Sequence, residues 1–308
     1  MRIGIHGGSQ VIMGLGVDAC VEHARAAERE GFTGYWLPQL AAPDALTVLG
    51  AVGRATSTIE LGTAVVATWP RHPLMLAGQA LTASEMAGGR LVLGIGVAHK
   101  AGVEARLRVP FERPARHVSE YLDVLLPALA GDPIDARGEI WSGVEERIPR
   151  PAGVEPPSVM LAAMGPRMLA LAGARTDGTV LWLSGPRAVA EVIRPALEAA
   201  AAGAGRPAPR IVASVPVCVT DRPDEVRSLV RQLLGGYDEI PSYRRVMDQE
   251  GVAGVAEVSV IGGAAEVTDR LAAFAAAGVT DFVAVEFTTT GDEAAATRAV
   301  LAEVGAAG

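Results

Sequence analysis

The stretch that decides the fold is "ARAAEREGFTGYWLP", residues 24–38, because its pattern returns elsewhere in the chain. Residues 271–285 read "LAAFAAAGVTDFVAV", with a helical segment, a glycine, a hydrophobic residue, a threonine and a strand in the same order. Residues 169–183, "LALAGARTDGTVLWL", form a looser copy. A helix that ends at a glycine and leads directly into an apolar strand is one helix–strand unit. Its recurrence predicts a repeated α/β architecture.

Apolar runs and helical patterns alternate along the whole chain and give eight strand–helix units. The predicted strands are 2–5, 34–37, 60–67, 90–95, 159–162, 179–183, 210–219 and 281–286. The predicted helices are 17–30, 45–55, 73–86, 119–129, 166–174, 188–202, 264–277 and 292–304, with a broken helical stretch over 223–251 and a short apolar run at 255–261. The strands are continuously apolar, which is typical of parallel strands covered on both faces. Eight such units favour a closed (β/α)8 TIM barrel, with a doubly wound open sheet as the alternative.

Length and composition are consistent with one domain and exclude several classes of protein. We expect a single domain over residues 1–308, with an irregular Pro- and Gly-rich insertion at about 131–157. The formal net charge is −8 and the basic residues are scattered, which argues against nucleic acid and anionic membrane surfaces as partners. There is no apolar stretch of about 18 residues and no signal-peptide pattern, so a cytoplasmic location is expected. Lys100 is the only lysine, as expected from a GC-rich genome.

The chemistry of a barrel of this kind is expected at the carboxyl ends of its strands. These ends offer small residues, backbone amides, histidines and hydroxyls, and they lack the carboxylate or histidine clusters that bind a metal. Such a site has room for a large planar cofactor that carries much of the chemistry itself. The fourth strand, in "GRLVLGIGVAHK" (89–100), begins like a dinucleotide fingerprint, but His99 stands where the third glycine would be. The repeat around it therefore favours a barrel strand over a Rossmann loop.

Three segments resemble the luciferase-like monooxygenase superfamily, and within it the F420-dependent oxidoreductases. They are "AAEREGFTGYWLPQ" (26–39), "TSTIELGTAVVATWPRHPLMLAGQALTASEMAGGRLVLGIG" (56–96) and "VMLAAMGPRMLALAGARTDGTVLW" (159–182). The resemblance implies a (β/α)8 barrel with an insertion, often dimeric, that binds F420 or FMN at its carboxyl mouth. A homodimer acting on a small-molecule substrate is therefore expected. The Arg-rich composition fits an actinobacterial origin.

The resemblance also implies which residues bind the cofactor. It places a non-prolyl cis peptide between Ala64 and Val65, behind the flavin or deazaflavin ring, and a phosphate-binding turn at 162–166. The amides at the start of that helix, with Pro166 at its first position, independently suit an anion. The expected cofactor-binding residues are His6, Gln39, Thr63, Ala64, Val65, Gly96, Val97, Ala98, Ala162, Ala163, Met164, Gly165 and Pro166.

The histidines are the candidates for proton transfer. A branch of the family carries a glutamate as proton donor in the loop that here holds His99, so His99 is expected to be the catalytic residue, as proton donor or substrate orienter; a loop histidine without a role is the alternative. His6 and His72 are further candidates, His72 alternatively as a helix cap. His117 is expected on a helix surface. Met13, Trp69, Trp182 and Phe287 are apolar candidates for the mouth.

Three functions follow as hypotheses. The first is a hydride transfer between F420 and a small unsaturated or carbonyl substrate. The second keeps the fold but uses FMN and O₂ as a monooxygenase. The third is a barrel that binds a flavin or another ligand without catalysis. The sequence does not separate F420 from FMN, because both ring systems are expected on the same bulge.

Overall fold

Successive strands pair in parallel around a closed ring in this computed structural model, which describes residues 1–150 and 152–307. The strands are β1 (Arg2–His6), β2 (Gly34–Leu37), β3 (Glu60–Thr63), β4 (Val66–Ala67), β5 (Leu91–Gly96), β6 (Ile134–Arg137), β7 (Ser142–Glu145), β8 (Ser158–Leu161), β9 (Gly178–Trp182), β10 (Arg210–Ser214), β11 (Pro216–Val219), β12 (Val260–Gly262) and β13 (Asp281–Glu286). The ring runs β1, β2, β3, β5, β8, β9, β10, β13 and closes by the pairing of β13 with β1. The predicted (β/α)8 barrel is confirmed, and the open sheet is excluded.

Helices separate the strands and cover the outside of the ring. They are α1 (Gly8–Ile12), α2 (Gly16–Arg29), α3 (Ala45–Ala55), α4 (Pro73–Met86), α5 (Lys100–Gly102), α6 (Pro114–Ala130), α7 (Pro166–Arg175), α8 (Pro186–Ala188), α9 (Arg194–Gly203), α10 (Pro223–Leu234), α11 (Pro241–Glu250), α12 (Val255–Val258), α13 (Ala264–Ala277) and α14 (Gly291–Ala307). Val103–Leu107 and Val189–Ile193 are π-helical turns, and Gly235–Glu239 is a 3₁₀ turn. Within residues 1–150 and 152–307, no helix is both long and apolar enough to cross a membrane.

The sequence repeat corresponds to a structural repeat. In both close copies the glycine after the helix has a positive φ, 85° at Gly31 and 95° at Gly278, and the threonine that follows ties the new strand to its neighbour. The hydroxyl of Thr33 donates to a β1 carbonyl at 2.9 Å, and the hydroxyl of Thr280 donates to a β10 carbonyl at 3.1 Å. The same local sequence pattern therefore connects the start of β2 to β1 and the start of β13 to β10.

One inward-facing residue from each of six barrel strands fills the interior. These residues are Trp36, Val92, Met160, Val180, Val212 and Val283. A Cβ at Gly62 would overlap the Trp36 ring, so the glycine in β3 makes room for the largest of these side chains. Ala64 and Val65 pack on this cluster and are half-buried. They follow Gly62 along the strand, so they form its upper layer, on the side of the carboxyl ends.

Charges close the opposite end of the barrel. The Arg210 guanidinium lies 2.8 Å from carboxylate oxygens of both Glu60 and Asp281, and Arg2 contacts the same two acids at 3.3 and 3.2 Å. All four residues stand at the start of a barrel strand. The amino end is thus blocked by ion pairs, which leaves the carboxyl end as the mouth.

Two predicted strands and one predicted run differ in the structure. The third strand is interrupted at residues 64–65, because the chain bulges there, and resumes as β4, which pairs with β5. The seventh is split between β10 and β11 at Val215, so that β10 and β11 pair with different parts of β13. The apolar run 255–261 is helical at first (α12) and then adds β12 beside β11.

The insertion was predicted to be irregular, and this is corrected by the antiparallel hairpin β6–β7 within it. Pro151, inside the predicted range, lies outside the described residues. The hairpin places Trp141 against α6, and this contact corrects the prediction for His117. The His117 side chain is fully buried rather than on a helix surface. Its Nδ1 accepts a hydrogen bond from the Trp141 indole at 3.1 Å, and its Nε2 lies 2.7 Å from the Thr68 hydroxyl.

Candidate active site

The floor of the mouth is the bulge between β3 and β4. The peptide between Ala64 and Val65 is cis, as the resemblance implied. Two glycines of β5 make room for it: a Cβ at Gly94 would overlap the Thr63 carbonyl oxygen, and one at Gly96 would lie 2.7 Å from a Val65 methyl. The GxG pattern of the fourth strand is therefore explained by the bulge that packs against it. The bulge presents small, half-buried apolar groups, a flat surface suited to one face of a ring.

The turn at the start of α7 exposes free backbone amides. Gly165 is the N-cap of α7, Pro166 takes the first helical position, and among the described residues no side chain caps the helix. The guanidinium of Arg245 on α11 lies against this turn, 3.5 Å from where a Cβ of Gly165 would be. Within the described residues, no carboxylate pairs with Arg245. A helix start, free amides and an exposed cation together suit a phosphate group.

An aromatic wall beside this turn runs from the end of β1 to the end of β5. The His6 ring stacks on Trp182 with centroids 6.3 Å apart and planes at 19°. Trp182 meets Tyr237 edge-on at 6.2 Å, and Tyr237 meets Tyr243 at 4.8 Å. Both tyrosines contact the His99 ring, at 5.6 and 5.5 Å. The two histidines at the predicted strand ends are thus joined by three aromatic rings.

His99 is held by its backbone and by these tyrosines. The preceding Ala98 has φ 55°, a left-handed conformation that is unusual for alanine and turns the chain out of β5. The His99 side chain is half-buried, and burial lowers the pKa of its imidazole below 6.5. Within the described residues, neither ring nitrogen forms a hydrogen bond. Both nitrogens are therefore available to a bound molecule.

His6 is more deeply buried and has one committed nitrogen. Its side chain is 9% exposed, and its Nδ1 accepts a hydrogen bond from the Gly8 amide at 3.1 Å. Burial, with a smaller effect of His23, lowers the pKa of His6 to about 4. The imidazole is therefore neutral at neutral pH. His6 lies at the end of β1, where the sequence placed it.

His72 and Gln39 form structural contacts. His72 is the N-cap of α4, with Nδ1 accepting from the Leu74 amide at 3.3 Å and Nε2 3.0 Å from the Ser142 carbonyl oxygen. The helix-cap alternative is thus confirmed. The Gln39 carboxamide accepts from the Ala45 amide at 3.0 Å and from Arg71 at 3.1 Å, and it donates to the adjacent Leu40 carbonyl at 2.9 Å.

The other predicted cofactor residues differ in how exposed they are to solvent. Thr63, Gly96 and Ala163 are buried behind the surface of the mouth, and the Thr63 hydroxyl donates to the Gly94 carbonyl at 2.7 Å. Val97, Ala162, Met164 and Gly165 are half-buried, and Ala98 and Pro166 are exposed. Of the apolar candidates, Trp69 is 9% exposed with an unpaired indole N–H within the described residues, whereas Met13 is 69% exposed.

The carboxylate at the end of β13 is bound on the outside of the barrel. Glu286 lies 2.6 Å from Arg298 and 3.1 Å from His23, and these partners hold the pKa of the Glu286 carboxyl at about 2. His23 also lies 3.3 Å from the Tyr35 hydroxyl. Within residues 1–150 and 152–307, no group of three or more His, Cys, Asp or Glu side chains is arranged to hold a metal ion.

Sequence reasoning missed Tyr237, Tyr243, Arg245 and the His23–Glu286 pair. One signal was present for the tyrosines: the chain has four, and two of them lie within residues 235–243. In a chain that is only 4% aromatic, such spacing could have indicated a ring-lined site. Nothing local distinguishes Arg245 from Arg244, because its position depends on how α11 packs beside the start of α7.

The barrel mouth combines an apolar floor, an uncapped helix start and an aromatic wall. This combination suits a large planar molecule that carries a phosphate group. The family "Luciferase-like monooxygenase" matches residues 2–281. The chain therefore belongs to the luciferase-like monooxygenase family, a family of oxidoreductases.

The chain is similar to a sequence relative and to two solved structures that bind different cofactors, F420 and FMN. The chain is 27% identical over 244 residues to a 5,10-methylenetetrahydromethanopterin reductase of Methanolobus tindarius, covering 79% of this chain and 73% of that protein. An F420-dependent secondary alcohol dehydrogenase in complex with an F420–acetone adduct has the same fold, with a TM-score of 0.80, 19% identity, and 98% and 97% of the two chains covered. The FMN-bound oxygenating constituent of 3,6-diketocamphane monooxygenase of Pseudomonas putida follows with a TM-score of 0.75, 19% identity, and 99% and 96% covered. At these identities, the structural likeness concerns the fold.

Proposed function

We propose that the protein is an F420-dependent oxidoreductase that transfers a hydride between C5 of the deazaflavin and a small organic substrate with a carbonyl group or a conjugated double bond. The observation that carries the proposal is the cis Ala64–Val65 bulge, whose small apolar side chains cover the barrel interior at the mouth that also holds the aromatic wall. A methanopterin reductase among its sequence relatives and an F420-dependent alcohol dehydrogenase among its structural neighbours favour this cofactor.

The residues present fit such a cofactor. When bound, F420 would supply a ring carbon that gives or accepts a hydride. Ala64 and Val65 would support one face of the ring, and the Met164 and Gly165 amides with Arg245 would hold its phosphate. Of the other predicted residues, Val97, Ala98, Ala162 and Pro166 are half-buried or exposed and would line the space between the floor and the phosphate turn, whereas Thr63, Gly96 and Ala163 would support it from behind.

His99 would move the proton that accompanies the hydride. Its ring nitrogens are free within the described residues, and it lies in the aromatic wall at the end of β5. The neighbouring Tyr237 and Tyr243 would exclude water and fix the ring. We further propose that the protein acts as a homodimer in the cytoplasm, as expected from the family resemblance.

A second candidate is an FMN-dependent monooxygenase, because an FMN-bound monooxygenase shares the fold over nearly the whole chain. The same floor and phosphate turn would serve an isoalloxazine ring. A flat floor does not select between the two rings, so binding has to be measured.

The test is a titration of the apoprotein with F420 and, separately, with FMN, followed by the fluorescence of its four tryptophans. We expect tighter binding of F420, and Arg245→Ala should weaken it about tenfold because a charge-assisted contact to phosphate is lost. Arg137→Ala is the matched control, since Arg137 is an exposed arginine on the β6–β7 hairpin that pairs with Asp135. Tight FMN binding without F420 affinity would reject the first proposal in favour of the second.

A further inference from the structure

We infer that His6 is held as a neutral imidazole whose hydrogen is on Nε2, and that this N–H donates a hydrogen bond to a carbonyl oxygen of the molecule bound in the mouth. The tautomer is inferred from this chain alone. The identity of the bound molecule rests on the proposed function.

The Gly8 amide determines the tautomer. A backbone N–H can only donate, so the His6 Nδ1 at 3.1 Å must accept through its lone pair. In a neutral imidazole the hydrogen is then on Nε2. A Cβ at position 8 would lie 2.6 Å from the His6 ring, so glycine is the residue that lets this amide approach the ring.

The same contact opposes the charged form. A second proton would have to occupy Nδ1, where the Gly8 N–H already points, and the ring is buried. Within the described residues, no carboxylate pairs with His6, and its pKa is lowered by burial and, to a smaller extent, by the neighbouring His23. Nothing in these surroundings compensates an imidazolium. His6 is therefore a hydrogen-bond donor and a poor proton donor.

Stacking fixes where the donor points. The ring lies nearly parallel to Trp182, with planes at 19°, at the inward-facing last position of β1. Within residues 1–150 and 152–307, no protein group accepts from its Nε2. A carbonyl oxygen, or one that gains negative charge as a hydride arrives at its carbon, is the acceptor that a neutral N–H stabilises without moving a proton. Two sources fit: a ring carbonyl of the cofactor, or the carbonyl of the substrate.

The ¹⁵N NMR spectrum of histidine-labelled protein tests the tautomer. The His6 resonances are identified by their loss in His6→Gln. We expect one pyridine-type Nδ1 and one pyrrole-type Nε2 signal, unchanged from about pH 8 to about pH 5.5, while an ordinary histidine titrates near 6.5. Titration of His6 near 6.5, or a hydrogen on Nδ1, would overturn the inference.

Additions to the same sample identify the acceptor. A shift of the Nε2 hydrogen on adding F420 or FMN alone assigns the bond to a cofactor carbonyl. A shift that also requires cyclohex-2-enone, used as a carbonyl probe, assigns it to the substrate. No shift under either condition overturns the donor role. If neither cofactor binds, the proposed function is wrong, while the pH titration still decides the tautomer.

Variants give a second readout. Gln retains an N–H donor, so His6→Gln should keep cofactor or probe binding within about threefold, whereas His6→Leu should weaken it about tenfold, which is the loss of one hydrogen bond of about 1.4 kcal/mol. Equal binding by His6→Leu and wild type would contradict the inference.

Discussion

The four histidines named from the sequence differ in what their ring nitrogens touch. His72 and His117 have partners at both nitrogens, so they hold a helix start and the insertion in place. Within the part of the chain that the structure describes, His6 has one partner, the Gly8 amide, and no acceptor at Nε2. Within the described residues, His99 has none. Because proton transfer needs a nitrogen that can both release and regain a proton, His99 is the histidine suited to it.

Replacing His99 therefore tests proton transfer at a single residue. We expect His99→Ala to lower kcat about a hundredfold, within the usual contribution of a general acid. Burial lowers the pKa of His99 below 6.5, so reduction by the wild type should slow as pH rises through this lowered pKa and the acid form is lost. The variant should lose this limb of the kcat–pH profile. Lys100→Ala is the control, because Lys100 is adjacent, exposed and paired only loosely with Glu104 at 3.9 Å. An unchanged profile in His99→Ala would remove its catalytic role.

The site residues that the sequence predicted are those whose place follows from strand order alone. His6, Ala64 and His99 all stand at strand ends, so the barrel brings them to one mouth whatever the loops do. His117 was misplaced because Trp141, which buries it, lies 24 residues away across a hairpin. The helical pattern around residue 117 does not indicate that Trp141 packs over His117. Tyr237 and Tyr243 were missed for the same reason.

At the scale of elements, boundaries set by local chemistry were predicted well and those set by tertiary contacts were not. Helices 45–55, 73–86 and 264–277 have the predicted limits, since a capping side chain or a C-terminal glycine fixes each one; Asp44, for example, accepts from the Thr47 amide at 2.9 Å. Local chemistry did not predict the break in the third strand, because β5 glycines about 30 residues further along make room for it; only the family resemblance placed a cis peptide there. The break at Val215 likewise depends on which part of β13 each half pairs with.

The repeated helix–strand junction offers a paired test of the glycines. At Gly31, where φ is 85°, an added Cβ meets no described atom within 4 Å, so Gly31→Ala should lower the unfolding free energy only by the cost of the left-handed conformation, about 1 kcal/mol. At Gly278, where φ is 95°, the Cβ would also lie 2.7 Å from Arg194, so Gly278→Ala should cost more. Urea unfolding measures both. Gly203→Ala, at the end of α9 with open space and no positive φ, should be neutral or slightly stabilising. Equal effects at all three glycines would refute this interpretation of the junction.

At the scale of the whole molecule, charge and polarity separate the two ends of the barrel. Ion pairs around Arg210 close the amino end, whereas at the carboxyl end the Glu286–Arg298 pair lies outside the mouth, which holds aromatic rings, His6 and His99, with Arg245 at the phosphate turn. Such a mouth can bind a flat ring without displacing an internal ion pair, while stability is provided at the other end and in the interior. The eight-strand order was predictable because it follows from repeated local units. The ion pairs that close the amino end were not predictable, since they depend on which residues from distant strands meet.

Buried neutral histidines should make the stability of the whole fold sensitive to acid. His6 and His117 have a pKa of about 4 in the folded protein, against 6.5 when exposed. Their folded pKa is lower, so their contribution is complete above pH 6.5 and is lost as pH falls toward 4; each should cost about 2 kcal/mol of unfolding free energy between about pH 7 and pH 5. Acids such as Glu286, with a pKa of about 2, lose their contribution only below about pH 4.5, so this window isolates the histidines. Urea unfolding at the two pH values measures the loss. His117→Gln should be less stable at pH 7, because the Trp141 indole loses its partner, yet should show a shallower fall toward pH 5. An unchanged slope in His117→Gln would mean that His117 is not held neutral by its burial.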